Sequence, residues 1–280
     1  MAEQNGLPKE RTYENADRLR IAYRTWPSVG TPKAAVLIVP GFNSHSGYYG
    51  WTANQLAAQG YAVYAVDLRG RGLSDGERFY VDSIDQYVAD VGGVMDVART
   101  EQPGHKVFVL GHSAGGVTAC VYTLDHPEKV DGLICESFAY QVPAPDFAIA
   151  ALKGLSHLAP HAHVLALPNK AFSRDATVVA AMDADPLIAH ETQPTKTVAA
   201  LARADDRLKA SFGEIKVPVL ILHGTEDKAT KPAGSQYFYD HAGSADKTLK
   251  LYEGYFHDML NDIGREKVMS DTTDWLGSHG

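Results

Sequence analysis

Lys106-Val-Phe-Val-Leu-Gly-His-Ser-Ala-Gly-Gly116 is an apolar run that leads straight into a Gly-x-Ser-x-Gly turn. The spacing predicts a strand ending at the turn, a helix beginning just beyond it, and Ser113 projecting from the sharp bend between them. A serine hydroxyl is a weak nucleophile until a base takes its proton. The motif therefore predicts a histidine and an orienting carboxylate elsewhere in the chain. Taken alone, the same residues also fit a glycine-rich strand-to-helix turn with no chemistry, so the flanking pattern has to decide.

Further apolar runs lie on either side: Ala34-Ala-Val-Leu-Ile-Val39, Tyr61-Ala-Val-Tyr-Ala-Val66, Gly132-Leu-Ile-Cys135 and Val217-Pro-Val-Leu-Ile-Leu222. Strands that are apolar at every position are buried on both faces, which predicts a mostly parallel sheet covered by helices on each side. Leu249–Glu253 alternates and reads as a final strand nearer the edge. Leu19–Thr25 alternates too, as part of a more exposed N-terminal strand pair. Helical stretches at 51–58, 83–100 and 114–124 separate the strands, giving an α/β fold that works at the carboxyl ends of its strands. From 141 to 215 the rhythm breaks into alanine-rich sequence punctuated by prolines. A structureless loop of that length is disfavoured, so a helical insertion lying over Ser113 as a cap is expected. The expected organisation is a core of 1–140 and 216–280 with a cap at 141–215.

Each partner of Ser113 should sit in a loop just past a strand end. His223-Gly-Thr-Glu-Asp227 follows one strand and Gly254-Tyr-Phe-His257 another. Asp227 and His257 then give the chain order Ser, Asp, His. Glu226 is the competing acid. The oxyanion hole needs backbone donors: Ala114 N–H, at the start of a helix, and Phe42 N–H, in the loop after the strand at 34–39.

These blocks make the chain resemble an α/β-hydrolase of the monoacylglycerol lipase or lysophospholipase-like (serine aminopeptidase S33-like) group, over nearly its whole length. Gly72-Leu-Ser-Asp-Gly-Glu-Arg78 with Val81-Asp82-Ser83, the elbow at 110–116, Phe172-Ser-Arg-Asp175, Asp183-Ala-Asp-Pro-Leu187, His223-Gly-x-x-Asp227 and Tyr252-Glu-Gly-x-x-His257 are similar to that family's blocks. The resemblance implies a serine ester hydrolase in which Ser113, Asp227 and His257 form the triad, Phe42 and Ala114 hold the oxyanion, and 141–215 caps the site. It also singles out Gly41, His45, Tyr48 and His112 as substrate-binding positions. The family's oxyanion loop reads His-Gly-x-Gly-Glu-His followed by an arginine. Here Pro40 replaces the first histidine, Asn43 the second glycine, Ser44 the glutamate and Tyr48 the arginine, so the glutamate and arginine that help hold glycerol are replaced. Other acyl transfer on the same site (perhydrolysis, transfer to another alcohol) and a non-catalytic receptor on the same fold are the rival readings.

The chain has 280 residues, 45% hydrophobic and 21% charged, as in ordinary globular proteins. A net charge of −8 without basic blocks argues against nucleic acid. Met1–Glu10 has no apolar core and reads as no secretory signal, and no run is long enough to span a bilayer, so a cytoplasmic location is expected. Cys120 and Cys135 read as a buried, reduced pair. His157, His161 and His163 are close in sequence, but Pro160 interrupts them and no further ligand completes a set. No metal or cofactor is expected. Arg69-Gly-Arg-Gly72 lacks the lysine and spacing of a phosphate loop. Phe147–Leu158 is apolar over much of a helix surface. It reads as cap packing, with contact to membranes or lipid aggregates as the second reading. The expected partner is a small ester, lipid included; oligomeric state is left open.

Overall fold

The computed structural model describes residues 7–141 and 145–280. Residues 1–6 of the segment read as no secretory signal, and 142–144 of the expected insertion, lie outside the described residues. The elements in chain order are β1 (Lys9–Glu14), β2 (Arg20–Trp26), β3 (Ala34–Val39), α1 (Gly50–Ala58), β4 (Tyr61–Val66), α2 (Ile84–Glu101), β5 (Val107–His112), α3 (Ala114–Asp125) and β6 (Gly132–Glu136). They continue with α4 (Asp146–Leu158), β7 (His163–Leu165), α5 (Ala176–Ala184), β8 (Gln193–Pro194), α6 (Thr195–Ser211), β9 (Val219–Gly224), α7 (Pro232–His241), β10 (Lys247–Tyr252) and α8 (Arg265–His279).

Eight strands form one sheet in the order β1-β2-β4-β3-β5-β6-β9-β10. β1 and β2 pair antiparallel with each other, and β2 with β4; every other neighbour is parallel. The all-apolar runs have the expected cause. In β3, Ala35, Leu37 and Val39 pack with Val91, Met95 and Val117 of α2 and α3, while Val36 and Ile38 pack with Leu56 and Leu276 of α1 and α8 on the opposite face. Both faces of the strand are dry, and each large side chain buried there contributes about 1.5–3 kcal/mol. Ser83 caps α2 by accepting the Asp85 N–H, an arrangement that contributes about 1 kcal/mol.

Between β6 and β9 the segment expected to be helical carries α4, α5 and α6, with α6 packed on α3 and α4 on α6. It also holds the short antiparallel pair β7–β8, which the sequence reading did not anticipate. These strands are two and three residues long, and His163 and Pro194 give them no apolar run. β9 begins at Val219 rather than Val217. Pro218 has no N–H to give a ladder, although its carbonyl accepts the Leu133 N–H at 2.9 Å.

Candidate active site

Ser113 stands between β5 and α3 with φ 55° and ψ −121°, a backbone conformation that costs on the order of 1–3 kcal/mol outside glycine. Its neighbours explain how the bend is held. The Ser113 N–H donates to Glu136 O at 2.9 Å, and its carbonyl accepts the Gly116 N–H at 2.9 Å. A Cβ at Gly111 would lie 2.6 Å from Gly115 O, and one at Gly115 would run into Val39 O. The two motif glycines therefore let β5, α3 and β3 approach one another at the serine.

Asp227 and His257 come together in the loops after β9 and β10. His257 Nδ1–H donates to Asp227 Oδ2 at 2.7 Å, and both side chains are fully buried. Asp227 Oδ2 also accepts the Thr230 hydroxyl at 2.8 Å, and Oδ1 accepts the Ala229 and Thr230 N–H groups at 2.8 and 2.9 Å. Burial alone would raise this carboxyl; the charge and hydrogen bonds of His257 and His223 reverse that and hold it far below the usual carboxylate range. Glu226, the competing acid, is exposed. The second nitrogen of His257, Nε2, is buried without a hydrogen bond, and Ser113 Oγ makes none to it in this conformation. Such bonds commonly tighten only when substrate is bound.

The expected oxyanion donors lie at the same bend. A Cβ built on Gly41 would be 2.8 Å from Ser113 Cβ and 3.3 Å from Ala114 N, so the loop after β3 runs against the elbow. Neither Phe42 N–H nor Ala114 N–H donates to another described residue. The Phe42 ring lies under the Arg71 guanidinium at 4.5 Å, and buried Arg71 bonds Glu191 and, at 2.8 Å, Gln193.

His45, Tyr48 and Asn43 turn toward the inserted segment. His45 Nε2 and Tyr48 OH meet Asp185 Oδ2 at 2.8 and 2.9 Å. Asn43, in the left-handed region at φ 49°, donates to Leu167 O at 2.9 Å and Asn169 Oδ1 at 2.8 Å. Burial would raise the Asp185 carboxyl, but its bonds to His45, Leu187 N–H and Tyr48 bring it below its ordinary value. His112 is fully buried, with Nε2 3.3 Å from the His257 carbonyl and ring centroids 4.9 Å apart. Burial, then the neighbouring His257, pushes its pKa down to about 3, so the ring is neutral at physiological pH.

The inserted segment also grips the loop that carries His257. Phe172 meets the His257 ring edge-on at 5.0 Å, and its carbonyl accepts the Asp258 N–H at 2.8 Å. Ser173 Oγ donates to Asn261 O at 2.9 Å, and Arg174 Nε to Asp262 Oδ2 at 2.7 Å. Sequence reasoning quoted Phe172 only within a family block and gave no role to it or to Thr230, Glu136 or Asp258. The His-Gly-x-x-Asp spacing was the one signal for His223, whose ring the strand turns toward Asp227. The three histidines of the inserted segment part company: His157 meets Arg203, His161 meets Glu77 and His163 meets Thr192. Cys120 and Cys135 are free and buried, with sulfurs 3.6 Å apart.

A doubly wound sheet of this order, with a strained serine where its fifth strand turns into a helix, defines the class of α/β-hydrolases. The comparisons place the chain within that class. A family model described as serine aminopeptidase, S33, matches residues 30–264, and the chain belongs to that family. It is similar to a monoacylglycerol lipase of Mycolicibacterium smegmatis, 32% identical over 96% of this chain and 97% of that one. It is likewise similar to the monoglyceride lipase of Homo sapiens, 33% identical over 89% of this chain and 83% of that one. The crystal structure of a Paleococcus ferrophilus monoacylglycerol lipase superimposes with a TM-score of 0.82 at 31% identity, covering 94% of this chain and 99% of that one. On these relationships the chain is a carboxylic ester hydrolase. No described helix is long and apolar enough to cross a membrane.

Proposed function

We propose that the chain hydrolyses lipid esters of the monoacylglycerol class through an acyl-enzyme on Ser113, beneath a cap formed by residues 141–215. The observation that carries the mechanism is the buried 2.7 Å bond from His257 to Asp227 beside a strained elbow serine. His257 Nε2 takes the Ser113 proton as Oγ attacks the ester carbonyl, and Asp227 orients the imidazole and stabilises the imidazolium. The carbonyl oxygen, now negative, lies on the Phe42 and Ala114 N–H groups. The tetrahedral species collapses with loss of the alcohol, which takes the proton from His257. Water then attacks the acyl-enzyme with the same base, releases the fatty acid and restores Ser113.

The names of the relatives support the substrate class. On the alcohol side, Ser44 and Tyr48 stand in place of the family's glycerol-holding glutamate and arginine, and Asn43, His45 and Tyr48 bond the inserted segment. The cap side is apolar: Phe147 and Leu158 of α4 are 77% and 86% exposed, which supports contact of this helix with lipid aggregates. Hydrolysis of monoacylglycerols and p-nitrophenyl esters by the wild type and by Ser113→Ala tests the reading. Ser113→Ala is expected to lose at least about a thousandfold in kcat and all labelling by a fluorophosphonate. Full activity in that variant would end the proposal.

A further inference from the structure

His223 closes β9 with a side chain that is fully buried, and the mechanism above gives it no work. Its two nitrogens meet different partners. Nδ1 lies 2.6 Å from Ser235 Oγ on α7. Nε2 lies 3.1 Å from Asp227 Oδ2 and 3.3 Å from Thr230 Oγ1. A carboxylate oxygen only accepts, so the arrangement requires the proton on Nε2, with Nδ1 accepting from the Ser235 hydroxyl. The Thr230 hydroxyl in turn donates to the same Asp227 Oδ2 at 2.8 Å. That oxygen is also the one His257 uses. Three donors thus converge on Oδ2, each drawing density from the atom that faces the catalytic imidazole.

We infer that His223 is a positioning residue: it fixes the Asp227 carboxylate from behind and weakens its pull on His257, and so sets the pH below which the base is lost. The inference rests on the triad reading above. Removing the Nε2–H leaves Oδ2 richer in charge, which favours the imidazolium and moves the acid limb of kcat/KM upward. The other titratable groups around His257 are His112 from the end of β5, Asp258 from its own loop, and Glu136 from β6 beyond Asp258. His112 also feels His223, but its pKa of about 3 keeps it neutral over the range of the limb, so a moved limb reports on the link from His223 to His257.

The experiment is the pH profile of kcat/KM on p-nitrophenyl butyrate for the wild type, His223→Leu and His223→Gln, with Ser113→Ala alongside. Leucine fills the space without a donor; glutamine returns an amide N–H near the place of Nε2. The expected result is an acid limb raised by about half to one pH unit in His223→Leu, with kcat reduced about tenfold, and a limb near wild type in His223→Gln. A folded His223→Leu whose limb stays put, or equal shifts in both variants, overturns the inference. If His223→Leu does not fold, His223→Met takes its place, a flexible apolar side chain that likewise brings no donor to Asp227. A raised limb in that variant supports the inference and an unmoved one overturns it. Turnover by Ser113→Ala would sink the triad reading and this inference with it. An inactive Ser113→Ala beside an unmoved limb would sink this inference alone.

Discussion

Asp227 and Glu136 are two buried carboxylates at the carboxyl ends of neighbouring strands, and the protein treats them in opposite ways. Asp227 collects hydrogen bonds at both oxygens and stays ionised far below its ordinary range. Glu136 receives the Leu260 N–H on Oε1 at 2.9 Å, and its Oε2 is buried without a partner. A carboxylate oxygen of Asp258 and a ring nitrogen of His112 lie within 4.8 Å of one of its oxygens and of each other. Burial, then the charge of Asp258, drives the Glu136 pKa well up, and burial first raises Asp258 itself to about 6. Two acids in one dry pocket cannot both ionise, so Glu136 keeps its proton. Depth of burial does not separate the two residues; the number of donors aimed at each does.

The sharpest way to break this comparison is to neutralise both in turn. Asp227→Asn should cost about 10⁴-fold in kcat, through loss of the tautomer and charge that His257 needs. Glu136→Gln replaces a protonated acid by its near isostere and should stay within about threefold; a loss like that of Asp227→Asn would show that Glu136 works as an anion. Stability gives a second contrast. Asp227 has a depressed folded pKa, so its contribution is present above about pH 3.9 and is lost as the pH falls below that value. Glu136 has a raised one: the folded state holds its proton longer, and stability is lost as pH rises above about 4.3. Glu136→Gln should therefore melt higher than wild type at pH 7.5, by about 2–4 °C per kcal/mol, with the gain shrinking toward zero near pH 4. A gain independent of pH would mean that packing, not protonation, is responsible. The smallest effect is expected at Phe42→Ala, under about tenfold in kcat/KM, because the proposed donor is a backbone N–H that the substitution leaves in place.

The core was legible because its physics is local. A strand buried on both faces must be apolar at every position, and five such runs announced the sheet. The elbow was legible for the same reason, since two glycines and a serine carry their geometry in a few residues. β7 and β8 were not, being too short to leave a pattern. Nor were Glu136 and Asp258: 122 positions separate them, and only the meeting of β6 with the loop after β10 places them together. Asn43 shows the same limit. Its departure from the family pattern was visible in the sequence, but that its amide would be spent on Leu167 and Asn169 was a fact about distant chain.

The grip of residues 172–174 on the loop from 257 to 263 has a consequence for recombining this enzyme with its relatives. A donor's insertion exchanged between β6 and β9 would bring its own version of Phe172, Ser173 and Arg174 to a host loop shaped for other side chains. The edge-on contact with His257 and the bonds to Asn261 and Asp262 would then join two unmatched halves. A transplant that keeps His257 aligned has to carry two separate pieces of chain, the insertion and the loop after β10. The unit of inheritance here is a pair of segments, and its boundary runs through His257.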